Sequence, residues 1–186
     1  CQTGYLTLRS DLKKSSTVLL GIPNGEIYKA LNRLLANNIF KGKADVTDDQ
    51  GKNLLEEGTV DDIINLFNSA LNSVSYDNYP IVSESSVQNM LKLYLLGAHQ
   101  EVLSEVHEAK GRADLVVNTD NRRIVFEFKY AKNEAEAKSK LSEAVEQIKT
   151  RDYGNILPKK NELIRIAAVF NADPKVRAFT ENQIVP

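Results

Sequence analysis

The chain has little of what most obvious chemistries require: one cysteine, two histidines, and no long apolar run. A lone cysteine, Cys1, excludes an internal disulfide and suits a reducing compartment. His99 and His107 stand at no metal-ligand spacing and have no cysteine beside them, so zinc ligation is not indicated. Nor do the scattered serines form a nucleophile-base pattern, which leaves covalent hydrolysis without support. No stretch approaches the roughly 20 apolar residues that span a bilayer, and no signal-peptide pattern opens the chain. The expectation is a cytoplasmic protein without membrane contact. A G-x-x-x-x-G-K-[ST] sequence is absent too, so any ATP site would lie outside this chain. There is no internal repeat and no low-complexity tract.

What is present is an ordinary globular composition: 186 residues, 42% hydrophobic and 26% charged, enough for one substantial core. The net charge of −1 gives no global sign of nucleic-acid binding. Its distribution is uneven. Residues 1–109 carry 9 Lys and Arg against 14 Asp and Glu, whereas residues 110–186 carry 15 against 11. A phosphate backbone would favour the second half. A solvated surface of mixed charge fits the same counts.

Periodicity predicts a small first unit and a larger second one. Gly4 to Leu8 and Thr17 to Ile22 read as short strands, and Pro23-Asn24-Gly25 leads into a helix from about Glu26 to Ala36. Val60 to Val74 repeats the helical spacing through Ile63, Ile64, Phe67, Ala70 and Leu71. Between them, Asp45 to Glu57 reads as a less regular helix or an exposed connection. Tyr79-Pro80 marks a break, after which Ser85 or Ser86 is expected to cap a helix running to about Leu96. Three strands follow, near Glu101 to His107, Ala113 to Asn118 and Arg123 to Phe128. A helix from about Glu134 to Asp152 has Asn133 as its cap and Gly154 as its stop. Leu163 to Phe170 closes the pattern as an apolar, central strand. This order predicts an α/β fold with a mixed central β-sheet flanked by helices, and a small N-terminal α+β or helical segment. The last strand is expected to pair parallel to an earlier one.

The chemistry-bearing residues fall on the central hairpin. GRADLVV (Gly111 to Val117) precedes a polar turn and then IVFEFK (Ile124 to Lys129), so Asp114 and Glu127 come from neighbouring strands. Glu127 and Lys129 are two residues apart and share a sheet face, while Phe126 and Phe128 take the other. Two carboxylates suit Mg²⁺, which keeps several waters, and a lysine beside the ion orients water or neutralises charge on a phosphate. The competing reading is a surface ion pair on a solvated strand. Charges on the inner side of a buried sheet need a reason, and a metal supplies one.

Asp114, a twelve-residue spacer, Glu127, Phe128 and Lys129 resemble the signature of the PD-(D/E)XK nuclease superfamily. The GR-x-D lead-in and the following EAVEQIKTRDYG (Glu143 to Gly154) look like the branch found at the C-terminus of bacterial AAA-ATPase-like proteins. QTGYLTL (Gln2 to Leu8) and VLLGIPNGEIYKALNRLL (Val18 to Leu35) resemble the end of the ATPase-like part of those same proteins. The resemblance implies a restriction-endonuclease-like fold and three segments: residues 1–43 as the ATPase-like end with winged-helix-like character, 44–78 as a helical connection, and 79–186 as the nuclease-like domain. Since the chain opens on Cys1, a fragment of a longer protein is expected. The implied partners are nucleic acid, with DNA first, and the ATPase-like region of the same full-length protein. The implied cofactor is Mg²⁺ or Mn²⁺, with ATP entering only through that region. Oligomeric state is not legible.

The resemblance also carries roles onto residues. Asp114, Glu127 and the Phe128 carbonyl would hold the metal; Lys129 and Gln147 would complete the catalytic group. Arg112 and Tyr153 would meet substrate, although Arg112 also has Glu105 as a candidate ion-pair partner and a tyrosine at a helix end commonly packs. One departure stands out: Gln88 occupies the helix position where many members carry a further acid. Glu84 substitutes only if that helix starts earlier than its expected serine cap. The alternative to a nuclease is therefore a catalytically silent module of the same fold, serving binding or regulation of the ATPase. A DNA-binding contribution from Gly4 to Leu35 is a third reading.

Overall fold

The computed structural model describes residues 4–8, 20–41, 43–98, 100–108, 111–154 and 159–186, with the side chains of 8, 43–49, 104–108 and 111–112 left aside. The elements run β1 (Thr7–Leu8), β2 (Leu20–Gly21), α1 (Gly25–Ile39), α2 (Lys43–Glu57), α3 (Val60–Asn72), α4 (Glu84–Gly97), β3 (Glu101–Glu108), β4 (Gly111–Asn118), β5 (Arg122–Ala131), α5 (Glu134–Arg151), β6 (Glu162–Asn171) and β7 (Ala178–Ile184). β1 and β2 pair antiparallel as a minimal ribbon. Residues 17–19 of the expected second strand lie outside the described residues.

Side-chain caps set where the helices begin. Asn24 Oδ1 accepts from the Ile27 amide at 2.9 Å, and Asn133 Oδ1 accepts from the Glu136 amide at 2.9 Å. Thr59 and Asp62 form a reciprocal box at the start of α3, each side chain accepting from the other's amide. The cap of α4 is Ser83, not Ser85 or Ser86: its hydroxyl accepts from the Ser86 amide, and Ser86 Oγ accepts from the Ser83 amide at 2.9 Å. Glu84 is therefore the first helical residue. Asp45 to Glu57, expected as a less regular helix or an exposed connection, lies within the helix α2, whose Leu55 is fully buried.

The five-stranded sheet has the order β3-β4-β5-β6-β7. β5 and β6 pair in parallel from Arg122↔Glu162 to Ala131↔Asn171, and the neighbouring ladders are antiparallel. The parallel pair requires a crossover, which α5 supplies by packing on β5, β6 and β7. On one face, Ile124, Phe126, Phe128, Ile166 and Phe170 join residues of the helices before Tyr79, including Phe40, Leu55 and Phe67, in a single core. On the other, Val125, Ala167 and Ala113 meet Ala144, Val145 and Ile148 of α5. Small side chains on both sides let the helix lie close. Its end is set by Asp152 at φ 49° and Gly154 at φ +87°. A Cβ on Gly154 would sit 2.6 Å from Val125 Cγ2, so the turn needs glycine for both space and backbone. β7 was not expected from the sequence; it holds the edge through the buried Phe179.

Candidate active site

Among the described residues the β4–β5 ladder runs from Asn118↔Arg123 to Leu115↔Phe126, while β5 stays paired to β6 through Ala131. Where the two strands part, Asp114 Oδ2 accepts a hydrogen bond from the Phe128 amide at 2.9 Å. A carboxylate thus takes the place a backbone carbonyl would hold. A buried amide without a partner costs free energy, and Asp114 satisfies this one while being fixed by it.

Alternation along β5 turns Phe126 and Phe128 into the aromatic core and leaves Glu127 and Lys129 on the face of Val125, as expected. Lys129 Nζ donates to Glu127 Oε1 at 2.8 Å and to the Phe128 carbonyl at 3.2 Å. Glu84 Oε1 stands 3.6 Å from the same nitrogen. The structure therefore brings Asp114, Glu127, Lys129 and Glu84 together. The helix start moved from the expected serines to Ser83, and that shift delivers Glu84 to the group. Gln88, one turn later, is half-buried and among the described residues makes no hydrogen bond to these carboxylates.

Lys129 Nζ meets two of these carboxyl groups directly, Glu127 at 2.8 Å and Glu84 at 3.6 Å. Burial raises the Glu127 pKa to about 7, the Asp114 charge adds to the rise, and the bond from Lys129 opposes it. Burial likewise pushes Glu84 up, against the pull of Lys129 and with a contribution from Asp114. For Lys129, burial works to lower the pKa, but the Glu127 bond and the surrounding negative charges outweigh it and the net shift is upward. Glu127 is fully buried, and among the described residues its Oε2 has no hydrogen-bond partner. An orphaned carboxylate oxygen in a dry site calls for a proton or a cation. Among the described residues no three carboxylate, imidazole or thiol groups form a metal cage. The donor set that fits a hard cation is smaller: two carboxylates and the Phe128 carbonyl, with water completing the shell.

Gln147 and Tyr153 approach from α5 and the turn after it. Gln147 Nε2 donates to the Tyr153 hydroxyl at 3.4 Å, and Arg151 donates to that hydroxyl at 2.8 Å. Tyr153 exposes no surface, and among the described residues its hydroxyl meets those two side chains. Sequence reasoning overlooked Arg151. Its position in the last turn of a helix, two residues before a tyrosine, was the available signal. Arg112 lies on β4 with His107 as its backbone partner, so Glu105 is not directly opposite it. The side chains of Arg112 and Glu105 lie outside the described residues.

No curated protein matches the chain. A family model does, the PD-(D/E)XK nuclease superfamily, over residues 82–180, which takes in α4, the paired carboxylates, α5 and most of the sheet. With more than half of its length matched and its mixed five-stranded sheet flanked by helices, the chain belongs to the PD-(D/E)XK nuclease superfamily.

Proposed function

We propose that the chain hydrolyses phosphodiester bonds in nucleic acid, with DNA as the substrate, using Mg²⁺ or Mn²⁺ held by Asp114, Glu127 and the Phe128 carbonyl. The observation that carries this is the buried, unpartnered Oε2 of Glu127 beside a second carboxylate and a lysine. Superfamily members generally use these two ions. When bound, the ion supplies Lewis-acid chemistry, polarising a phosphoryl oxygen and making water more acidic.

The side chains do the rest. An ammonium has three donors. Two of those on Lys129 are directed to Glu127 and the Phe128 carbonyl, and the third is shared between Glu84, 3.6 Å away, and the attacking water or a phosphate oxygen. Glu84, with its pKa raised and its carboxylate near Lys129, takes the proton from that water as the oxygen attacks phosphorus and the bond to the leaving oxygen breaks. It also supplies, one turn earlier, the acid that Gln88 does not. Gln147 hydrogen-bonds the water or a phosphate oxygen. We assign residues 1–43 to the end of an ATPase-like region, 44–78 to a helical connection and 79–186 to the nuclease-like domain. The activity is coupled to that ATPase-like region in the cytoplasm.

Purified protein should nick plasmid DNA with Mg²⁺ or Mn²⁺ and lose this activity in Glu127→Ala and Lys129→Ala. Undiminished cleavage by either variant sinks the assignment. Gln88 favours a second reading, a silent module that binds or regulates. Calorimetric titration separates the two, because a silent module takes up neither ion in a manner dependent on Asp114 and Glu127.

A further inference from the structure

We infer that Arg151 binds a backbone phosphate of the nucleic acid and that Tyr153 is the positioning residue that aims it. This deepens the nuclease reading of the Asp114–Glu127–Lys129 site and rests on it.

The geometry is local and specific. After α5, the chain turns through Asp152 and Gly154, both at positive φ, and folds Tyr153 back beneath the helix. There its ring is fully buried with Val125, Val145 and Ile148. A phenol so anchored has a fixed hydroxyl. Two donors converge on it, the Arg151 guanidinium at 2.8 Å and the Gln147 amide at 3.4 Å. Arg151 is partly exposed, and among the described residues it forms no ion pair.

An arginine has five N–H donors in a planar fork. Tyr153 engages Arg151 through one nitrogen, NH1, and neutral phenol leaves the positive charge uncompensated. Arg165, which also reaches this turn, differs in being tied to Asp152. Arg151 is also drawn, at longer range, by the charges of Glu127 and Asp114, after the larger effect of the Tyr153 bond. A partly exposed guanidinium held at one edge by Tyr153 and, among the described residues, without an ion pair is suited to a doubly hydrogen-bonded phosphate. The acids of the site repel phosphate, so a cation that offsets them aids a polyanion in binding.

The test uses a fluorescently labelled duplex oligonucleotide, with anisotropy measured in Ca²⁺ over a range of salt and cleavage measured separately in Mg²⁺. Arg151→Gln should weaken binding roughly 10-fold and lower the slope of log affinity against log salt by about 1. Tyr153→Phe keeps the buried ring and every charge; it should weaken binding roughly 3-fold with the slope unchanged, as expected when one hydrogen bond that aims the fork is lost. Lys149→Gln removes an exposed cation of the same helix and serves as the charge control. If Arg151→Gln matches wild type in affinity and slope, or if Lys149→Gln produces an equal loss, the inference about Arg151 is overturned while cleavage leaves the nuclease reading standing. Binding that depends on Arg151 without any Mg²⁺-dependent cleavage supports the inference and overturns the nuclease reading. A wild-type protein that does not bind the duplex overturns both.

Discussion

Replacing Glu127 by glutamine should change how stability depends on pH, and the size of the change follows from its burial. The folded-state pKa is about 7 against an ordinary value of 4.5, so the folded protein holds a proton that the unfolded chain releases between those values. Stability is then highest below about pH 4.5, falls as pH rises through the window, and carries the full penalty above about 7. At 1.36 kcal/mol per pH unit, the penalty is about 3 kcal/mol. Glu84 is raised as well and adds a slope of the same sign. Lys129, raised from 10.5, loses its contribution only at higher pH and does not enter. The depressed carboxyls of Glu56 and Asp62 act at the acid edge, below the window. Urea unfolding at pH 5, 6, 7 and 8 in EDTA, compared between wild type and Glu127→Gln, cancels everything the two proteins share. Wild type should lose about 2.5 kcal/mol more across the series than the variant, since the lowest pH already lies inside the window. Adding Mg²⁺ at pH 8 should recover stability in wild type alone, because a ligand that binds the folded state stabilises it. Equal pH slopes in the two proteins would refute the reasoning.

Further outcomes can be measured on the same preparations. Asp114→Asn should lower plasmid nicking by about 100-fold or more while retaining an acceptor for the Phe128 amide, so its thermal unfolding should stay cooperative; full activity would remove Asp114 from the site. Glu84→Gln should slow cleavage by roughly 10- to 100-fold, whereas Gln88→Ala should leave the rate within about twofold if Glu84 is the acid on that helix. Gly154→Ala should cost about 1–3 kcal/mol in urea unfolding, since the added methyl meets Val125 and Leu163 at a left-handed backbone position. Phe67→Ala, which removes a fully buried ring packed at a tilt against Phe126, should cost about 3–5 kcal/mol by the same measure.

Alternation made β5 readable, because Ile124, Phe126 and Phe128 separate from Val125, Glu127 and Lys129 without exception. Asn133 announced its helix equally well. Other features depend on contacts that a local pattern does not hold. AFTENQI reads as a polar loop, since Glu181, Asn182 and Gln183 interrupt any apolar alternation; it becomes β7 because β6 offers an open edge and Phe179 fills the core. KADVTDDQGKNLLEE carries acids and a glycine that weaken its helical signal, and packing against α1 and α3 decides the matter. Three serines stood near the start of α4, and choosing among them required the reciprocal Ser83–Ser86 bonds. That small ambiguity governed whether Glu84 belonged to the site. Arg151 was less legible still, as its partner is reached only after the backbone reverses at Asp152 and Gly154.

The parting of β4 from β5 gives the protein an internal reporter. Because the Phe128 amide donates to the Asp114 carboxylate instead of to a strand carbonyl, its proton resonance should track the charge on that carboxylate while the amides of Val125 and Phe126 stay unmoved. Following that one signal through a Mg²⁺ titration would reveal occupancy of the acidic centre without any substrate being cleaved.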